Sequence, residues 1–483
     1  MHLTRRFFST RFIFIFLFLT GFFVSSAQDN PKVWTLEDCI NYALDHNLDI
    51  KKQILTVEAN KKQLLQSKLN LLPDLNAEAT NVWNFGQTID LYTNTFATST
   101  VRSNNFYLQS NTTLFNGFTK INTIKQNSIL LLASQYDLDV LKNDISLAVA
   151  GYFLDMLLNL ELLDVAKNQI GITQGQVARM SKLVEAGSSA KGDLLNIQAQ
   201  ESAEALAVIQ AENRLIISRL SLQQLIDLPV SPDFRIEKPL LKDVEESKGL
   251  LTPEQVFNFA VEKRPEIKSA DLRVQSARKS LAIARGVLYP SLSFGGSWGT
   301  GYSGASVEVE STVYKKEVIG VTNSSRDTVF GYYPSSTYRK KDFSKQIIDN
   351  NNKSLGFYLR IPIFNGWTGR TNISLAKIQQ EKSEIDLEIS KRDLRKNIEQ
   401  AYTDASASLQ QYNASLQKVA AQEESFKYTQ QKFDVGMMTS FDYNNSKKDL
   451  TKAESDLLQS KYDFIFKTTI LDFYMGRPIS INK

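Results

Sequence analysis

Along the first half of the chain the spacing of apolar residues changes twice, from helical to alternating and back. Ile40, Ala43, Leu44 and Leu48, then Ile54, Val57, Leu64 and Leu65, recur at steps of three and four and mark one face of a helix. Thr35 caps this helix, with Glu37 and Asp38 in the first turn, where the helix dipole favours acids. Pro73 ends it, because proline cannot donate the next backbone hydrogen bond. Beyond Pro73 the period becomes two. Leu75, Ala77, Ala79, Trp83 and Phe85 alternate with Asn76, Glu78, Thr80 and Asn84, and Phe106, Leu108 and Leu114 alternate with Tyr107, Gln109, Asn111 and Thr113. That is a hairpin with one apolar and one wetted face. Leu114-Phe115-Asn116-Gly117 closes it with a tight turn, and no proline follows before Gly187. Helix is the regular structure that fits so long a stretch, a rod of roughly 100 Å at about 1.5 Å per residue.

The same succession occurs again. Ile363-Phe364-Asn365-Gly366 repeats the turn, Gly436 repeats Gly187 and Asp442 repeats Asp193, all at one shift of 249 residues. Upstream, Thr252 matches Thr35, Ala260 matches Ala43, Ile267 matches Ile50 and Pro290 matches Pro73 at a shift of 217 residues. The shifts differ, so the second copy carries an insertion between Pro290 and Phe364. Leu292, Phe294 and Trp298 alternate with Ser291, Ser293 and Ser297 before it. Leu355, Phe357, Leu359, Ile361 and Ile363 alternate with Ser354, Gly356, Tyr358 and Arg360 after it. The insertion falls in the loop from about Gly301 to Asn352, where Lys315, Lys316, Arg339, Lys340 and Lys341 suit an extracellular position. Its stretch from Val307 to Val318 has room for strands of its own. The first hairpin tip, Gln87 to Ser103, is shorter and rich in Thr, Ser and Asn.

The long helices carry Ile145, Val149, Tyr152, Met156, Leu160 and Leu163, and in the second copy Leu394, Ile398, Ala401, Ala405, Leu409 and Tyr412. These are coiled-coil seams that need partners along their length. At the far tips Gly187 and Gly436 supply the left-handed residue that ends a helix, and the Ser or Thr behind each is the expected cap of a returning helix. Asp193 and Asp442 then stand in a first turn, complementing its dipole. As a ring in an oligomer, they would also select cations. The returning helices are expected from Leu194 to Leu228 and from Tyr443 to about Tyr474, separated by an irregular crossover with Pro229, Pro232 and Pro239.

Residues 1–27 have the form of a signal peptide: Arg5, Arg6 and Arg11, an apolar run from Phe12 to Val24, then Ser25-Ser26-Ala27. Its removal takes the formal charge of +4 down by its three arginines, and a near-neutral chain argues against nucleic acid as a partner. Cys39 is the single cysteine, so an exported chain has no internal disulfide and Cys39 is a packing residue. With His46 the one histidine left, a histidine metal site or a Ser-His-Asp arrangement has almost no material. No glycine-rich phosphate loop is evident, and neither an enzyme nor a bound cofactor is expected.

Four strands of about ten residues with aromatics near their ends have the length and girdle of outer-membrane strands. The girdle candidates are Trp83, Phe85, Phe106, Phe115, Trp298, Phe357 and Phe364. Four strands cannot close a barrel in lipid, where open edges are not tolerated. Several copies must therefore join, two giving eight strands and three giving twelve.

Taken together, the Thr-Leu-Glu-Asp opening at residues 35–38, the two Phe-Asn-Gly turns and the two tips of Gly followed by Asp resemble the TolC family of outer-membrane efflux proteins. The resemblance covers essentially the whole mature chain. It implies a mainly helical protomer contributing a β-hairpin pair to a trimer, with a twelve-stranded barrel in the outer membrane and a long periplasmic α-barrel. It further implies a passive exit duct, whose partners are a periplasmic adaptor and an inner-membrane transporter. The expected organisation is a signal peptide at 1–27, repeats at 28–228 and 251–475, a crossover at 229–250 and a tail at 476–483. Gly187 and Gly436 match the tip glycines that adaptors grip, and Asp442 matches an acidic position at the periplasmic entrance. Met438 stands where the family has an arginine and Asn445 where it has an aspartate, so the family's charged latch is not carried over. Phe433, Met437 and Met438 are instead candidates for an apolar constriction. The readings to be separated are a duct for a drug-efflux pump, a duct for protein secretion or metal efflux, and a periplasmic coiled-coil scaffold without a pore.

Overall fold

The computed structural model describes residues 32–90, 92–97, 100–239 and 251–479. The expected signal peptide and residues 240–250 of the expected crossover lie outside the described residues. The first copy comprises β1 (Val33–Trp34), α1 (Leu36–His46), α2 (Leu48–Leu69), β2 (Asn76–Asn84), β3 (Thr88–Ile89), β4 (Phe96–Ala97), β5 (Val101–Asn116), α3 (Thr119–Glu185) and α4 (Lys191–Leu225). The second follows β6 (Arg235–Ile236) with α5 (Pro253–Lys263), α6 (Pro265–Gly286), β7 (Ser291–Ser303), β8 (Val307–Val321), β9 (Thr328–Lys340), α7 (Phe343–Asp349), β10 (Asn352–Arg360), α8 (Thr368–Asp434) and α9 (Ser440–Tyr474). The 249-residue shift survives folding to the residue. α3 and α8 each have 67 residues, and α4 and α9 each have 35.

The expected cap at Thr35 is a capping box: Asp38 N donates to Thr35 Oγ1 at 3.0 Å and Thr35 N donates to Asp38 Oδ2 at 3.2 Å. The helix behind it does not run on to Pro73. Asn47 leaves the helical region at φ −57°, ψ 131°, and its side chain accepts from Asp49 N and Ile50 N, starting α2 anew. Arg264 and Pro265 make the same break in the second copy, where the ring has no N–H to continue the ladder. The breaks lay α1 and α5 across the middles of the long helices. There Cys39, Ala43 and Ile50 pack with Val149, Phe153 and Leu157, while Val256, Ala260 and Ile267 pack with Leu394 and Ile398. Cys39 is fully buried, and desolvation pushes its thiol up to about 12, the behaviour of a packing residue.

The crossover is less irregular than its prolines imply. β6 pairs in parallel with β1, and Phe234 lies against Trp34 with ring centroids 5.7 Å apart.

Each strand-to-helix joint uses two successive left-handed residues, Gly117 with Phe118 and Gly366 with Trp367. At Gly117 a Cβ would fall 2.2 Å from the Gly286 carbonyl oxygen, so the residue is bound both by its positive φ and by the close approach of α6.

The four long strands form one antiparallel sheet in the order β10-β7-β5-β2. β5 has 16 residues and β7 has 13, longer than the ten expected. β10 is shorter, ending at Arg360 before Pro362 instead of continuing to Ile363.

Candidate functional site

Pairing register sorts the sheet's side chains onto two faces. Ala77, Ala79, Leu108, Trp298, Leu355 and Phe357 share one with Leu292, Phe294 and Leu359. Glu78, Thr80, Gln109, Asn111, Ser293, Ser297 and Ser354 share the other. Of the girdle candidates, Trp83, Phe106, Trp298 and Phe357 stand on the apolar face. Phe115 reaches it because a bulge between Thr113 and Phe115 slips the register and sets Phe115 opposite Leu292. Phe85 and Phe364 lie just beyond the strand ends, both strongly exposed. Phe106 meets Phe343 of α7 edge to face, and Thr300 donates to the Ile347 carbonyl, so α7 covers the upper part of this face. At the same rim Asp90 accepts from Ser303 and Gln346 bonds the backbone of Ser303, joining the two hairpins of one protomer.

The two helical tips are built alike. Ser188 N donates to the Leu183 carbonyl and Met437 N to the Lys432 carbonyl, the six-residue closure of a Schellman turn, with Gly187 and Gly436 at φ +72° and +77°. A Cβ at either glycine meets nothing within 4 Å, so both turns face open space. The caps behind them differ. Thr439 accepts from Asp442 N at 3.2 Å and donates to the Asp442 carboxylate at 2.7 Å. Ser188 and Ser189 do not cap α4, whose N-cap is Ala190 without a side-chain bond, because the Ser188 hydroxyl turns back to the Leu183 carbonyl. Asp193 accepts from Ser440 Oγ at 3.1 Å, so it ties α4 to α9. Phe433 packs against Tyr443 with ring centroids 4.5 Å apart and planes tilted by 31°, Met438 is half-buried and Met437 is exposed.

A set of polar links between the two helix pairs had no counterpart in the sequence reading. Arg179 pairs with Asp434 at 2.8 Å and Gln176 donates to the Tyr443 hydroxyl at 2.6 Å. Farther from the tip, Lys447 is only 3% exposed. Its ammonium donates to the Gln169 carbonyl at 3.2 Å and to Thr173 Oγ1, and it lies 3.6 Å from Glu204 Oε1. Thr173 also donates to Glu204. Burial lowers the Lys447 pKa and the Glu204 charge opposes that shift. α3, α4 and α9 are thus pinned around one buried ion pair. Breaking such a pair from one side leaves an uncompensated charge.

The protomer is unfinished on both flanks. β2 and β10 are sheet edges. On the β2 side, α2 exposes Ile54, Leu55 and Leu65, and α4 exposes Leu206, Ile209 and Ile217. On the β10 side, α8 exposes Leu375, Ile378, Ile385 and Ile389.

Comparison with known proteins agrees with this geometry. The profile of a family described as "Outer membrane efflux protein" matches residues 39–227 and 256–477. The outer membrane efflux protein BepC of Brucella suis is 20% identical over 373 residues, covering 77% of this chain and 71% of BepC. The outer membrane protein TolC of Vibrio cholerae is 22% identical over 318 residues, covering 66% of this chain and 64% of that protein. The crystal structure of the CmeC outer membrane channel of Campylobacter jejuni superimposes with a TM-score of 0.73 at 15% identity, covering 93% of this chain and 87% of CmeC.

Proposed function

The chain belongs to the outer membrane efflux protein family, and on that premise we propose that three copies close into the exit duct of a tripartite efflux pump, carrying small molecules outward. The observation that carries this reading is the pair of unfinished flanks. An open sheet edge in lipid leaves backbone N–H and C=O groups without partners at several kcal/mol each, so β10 of one copy must pair with β2 of the next. Three copies make twelve strands, an even number within the range of outer-membrane barrels. The same rotation brings the apolar stripe of α8 against α2 and α4 of the neighbour, which continues the barrel as a periplasmic tube of helices. The face carrying Leu355 and Phe357 meets lipid, and the face carrying Ser297, Ser354 and Gln109 lines the water path.

The tips are where a periplasmic adaptor docks, with the inner-membrane transporter supplying energy behind it. Gly187 and Gly436 leave open backbone for a partner to approach, and Asp193 and Asp442 bring negative charge to the same end of the tube. Purified from the outer membrane, the protein is expected to have the native mass of three chains and to form water-filled channels in planar bilayers. A monomer that conducts nothing would overturn the reading.

Phe433 and Met438 narrow the entrance. Held against Tyr443, Phe433 opposes wetting where a charged ring would invite it. Replacing both by serine is expected to raise single-channel conductance, and an unchanged conductance counts against the constriction.

A further inference from the structure

The insertion confined to the second copy folds into β8 and β9, a two-stranded hairpin that pairs from Val307 with Lys340 to Val321 with Thr328. Its 15-residue strand is roughly 50 Å long at about 3.3 Å per residue. One face carries Val309, Tyr338, Tyr314, Tyr332, Val318 and Phe330, interrupted by the Thr312–Ser336 pair and shared with Lys316, which pairs with Tyr332 and lies 3.9 Å over the Phe330 ring. All six are exposed, Tyr314 and Tyr332 to 67% each. Among the described residues neither edge of this ribbon pairs with another strand. An isolated two-stranded hairpin that exposes this much aromatic surface is at best marginally stable in water.

The root of the ribbon is fixed to the barrel. Glu308 pairs with Arg339 at 2.8 Å and with Lys345 of α7, Lys341 pairs with Asp349 at 2.6 Å, and Lys341 N donates to the Ser306 carbonyl. These bonds hold the ribbon to α7 and to the outer end of β7, an interior strand of the sheet. Twelve tilted strands about 4.8 Å apart enclose a ring of roughly 12 Å radius, so neighbouring roots in a trimer are only about 20 Å apart. The ribbons are more than twice that long. Charge does not keep them apart either, since between Val307 and Lys340 four acids face five bases.

We propose that the three ribbons of a trimer pack against one another through the row of Tyr314, Tyr332 and Phe330, forming a collar that prolongs the duct beyond the outer membrane. The occupant of each aromatic face is the ribbon of the neighbouring copy. This rests on the three-copy reading, and its test separates the two.

The chain's own Cys39 is buried, so an introduced cysteine is the reactive one. Tyr332→Cys and, separately, Tyr314→Cys are made in the full-length protein, purified in detergent and treated with a short bis-maleimide. Native mass is measured on the same samples. Three-chain particles in which most of the protein runs as a cross-linked dimer on denaturing gels are expected for both variants, with none for Ile348→Cys on α7. Three-chain particles without the cross-link overturn the collar and leave the duct standing. Single chains overturn the duct itself. Cross-linking to a different protein, or protection by lipid, assigns the face to another occupant and also overturns the collar.

Discussion

Leu355→Arg should abolish accumulation of the protein in the outer membrane. Leu355 is 79% exposed on the apolar face of β10, opposite Gly296, the face that would meet lipid in the proposed trimeric barrel. Arginine facing lipid costs roughly 2–4 kcal/mol at the midplane, and a trimer repeats the cost three times, on the order of 10 kcal/mol in all. That rivals the whole stability of an ordinary folded domain. Ser354→Arg is the matched control. It adds the same charge one residue earlier in the same strand, but alternation turns it to the water-lined face, where assembly is expected to survive. Membrane fractionation with native mass decides between them. Equal loss from both variants, or from neither, would show that the apolar face does not meet lipid.

Lys447→Met is expected to loosen the periplasmic end of the tube. The substitution keeps much of the side chain's volume but leaves the Glu204 carboxylate buried beside Thr173 with no cation to compensate it. Losing one member of a buried pair typically costs about 3–5 kcal/mol, far more than an exposed pair such as Arg179 with Asp434 contributes. Three consequences are expected: a lower melting temperature, faster proteolysis between Gly187 and Asp193, and a higher open fraction in single-channel records. Glu204→Gln added to Lys447→Met removes the stranded charge and should restore most of the loss. If the double variant is as damaged as the single one, Lys447 acts through packing and the pair does not hold the helices together.

These two expectations draw on different layers of information. The face of Leu355 was legible in the sequence, because strict alternation after Ser354 assigns it before any strand partner is known. The breaks at Asn47 and Arg264 were half legible. Pro265 carries a break signal that the match of Thr252 through Pro290 to the first copy ran straight across, whereas Asn47 sits inside an uninterrupted helical period and ends it through bonds to Asp49 and Ile50. The hairpin of β8 and β9 was readable only as possible strands around Val307, since pairing over thirty residues depends on register as well as propensity. Tip capping misled at α4, where Ser188 follows the glycine but bonds backwards.

By itself, then, the sequence determined the elements and their duplication. Periods of two and of three to four, two left-handed glycine turns and a constant shift of 249 residues are properties of neighbours along the chain, and neighbours suffice to specify a helix or a strand. It also determined that one protomer was incomplete, because four strands cannot satisfy their backbone groups in lipid. Only the tertiary structure decided which residues meet across the helices. Thr173, Glu204 and Lys447 lie on three helices and share no spacing that marks them. Their burial follows from how α3, α4 and α9 are stacked, a relation that no local pattern encodes.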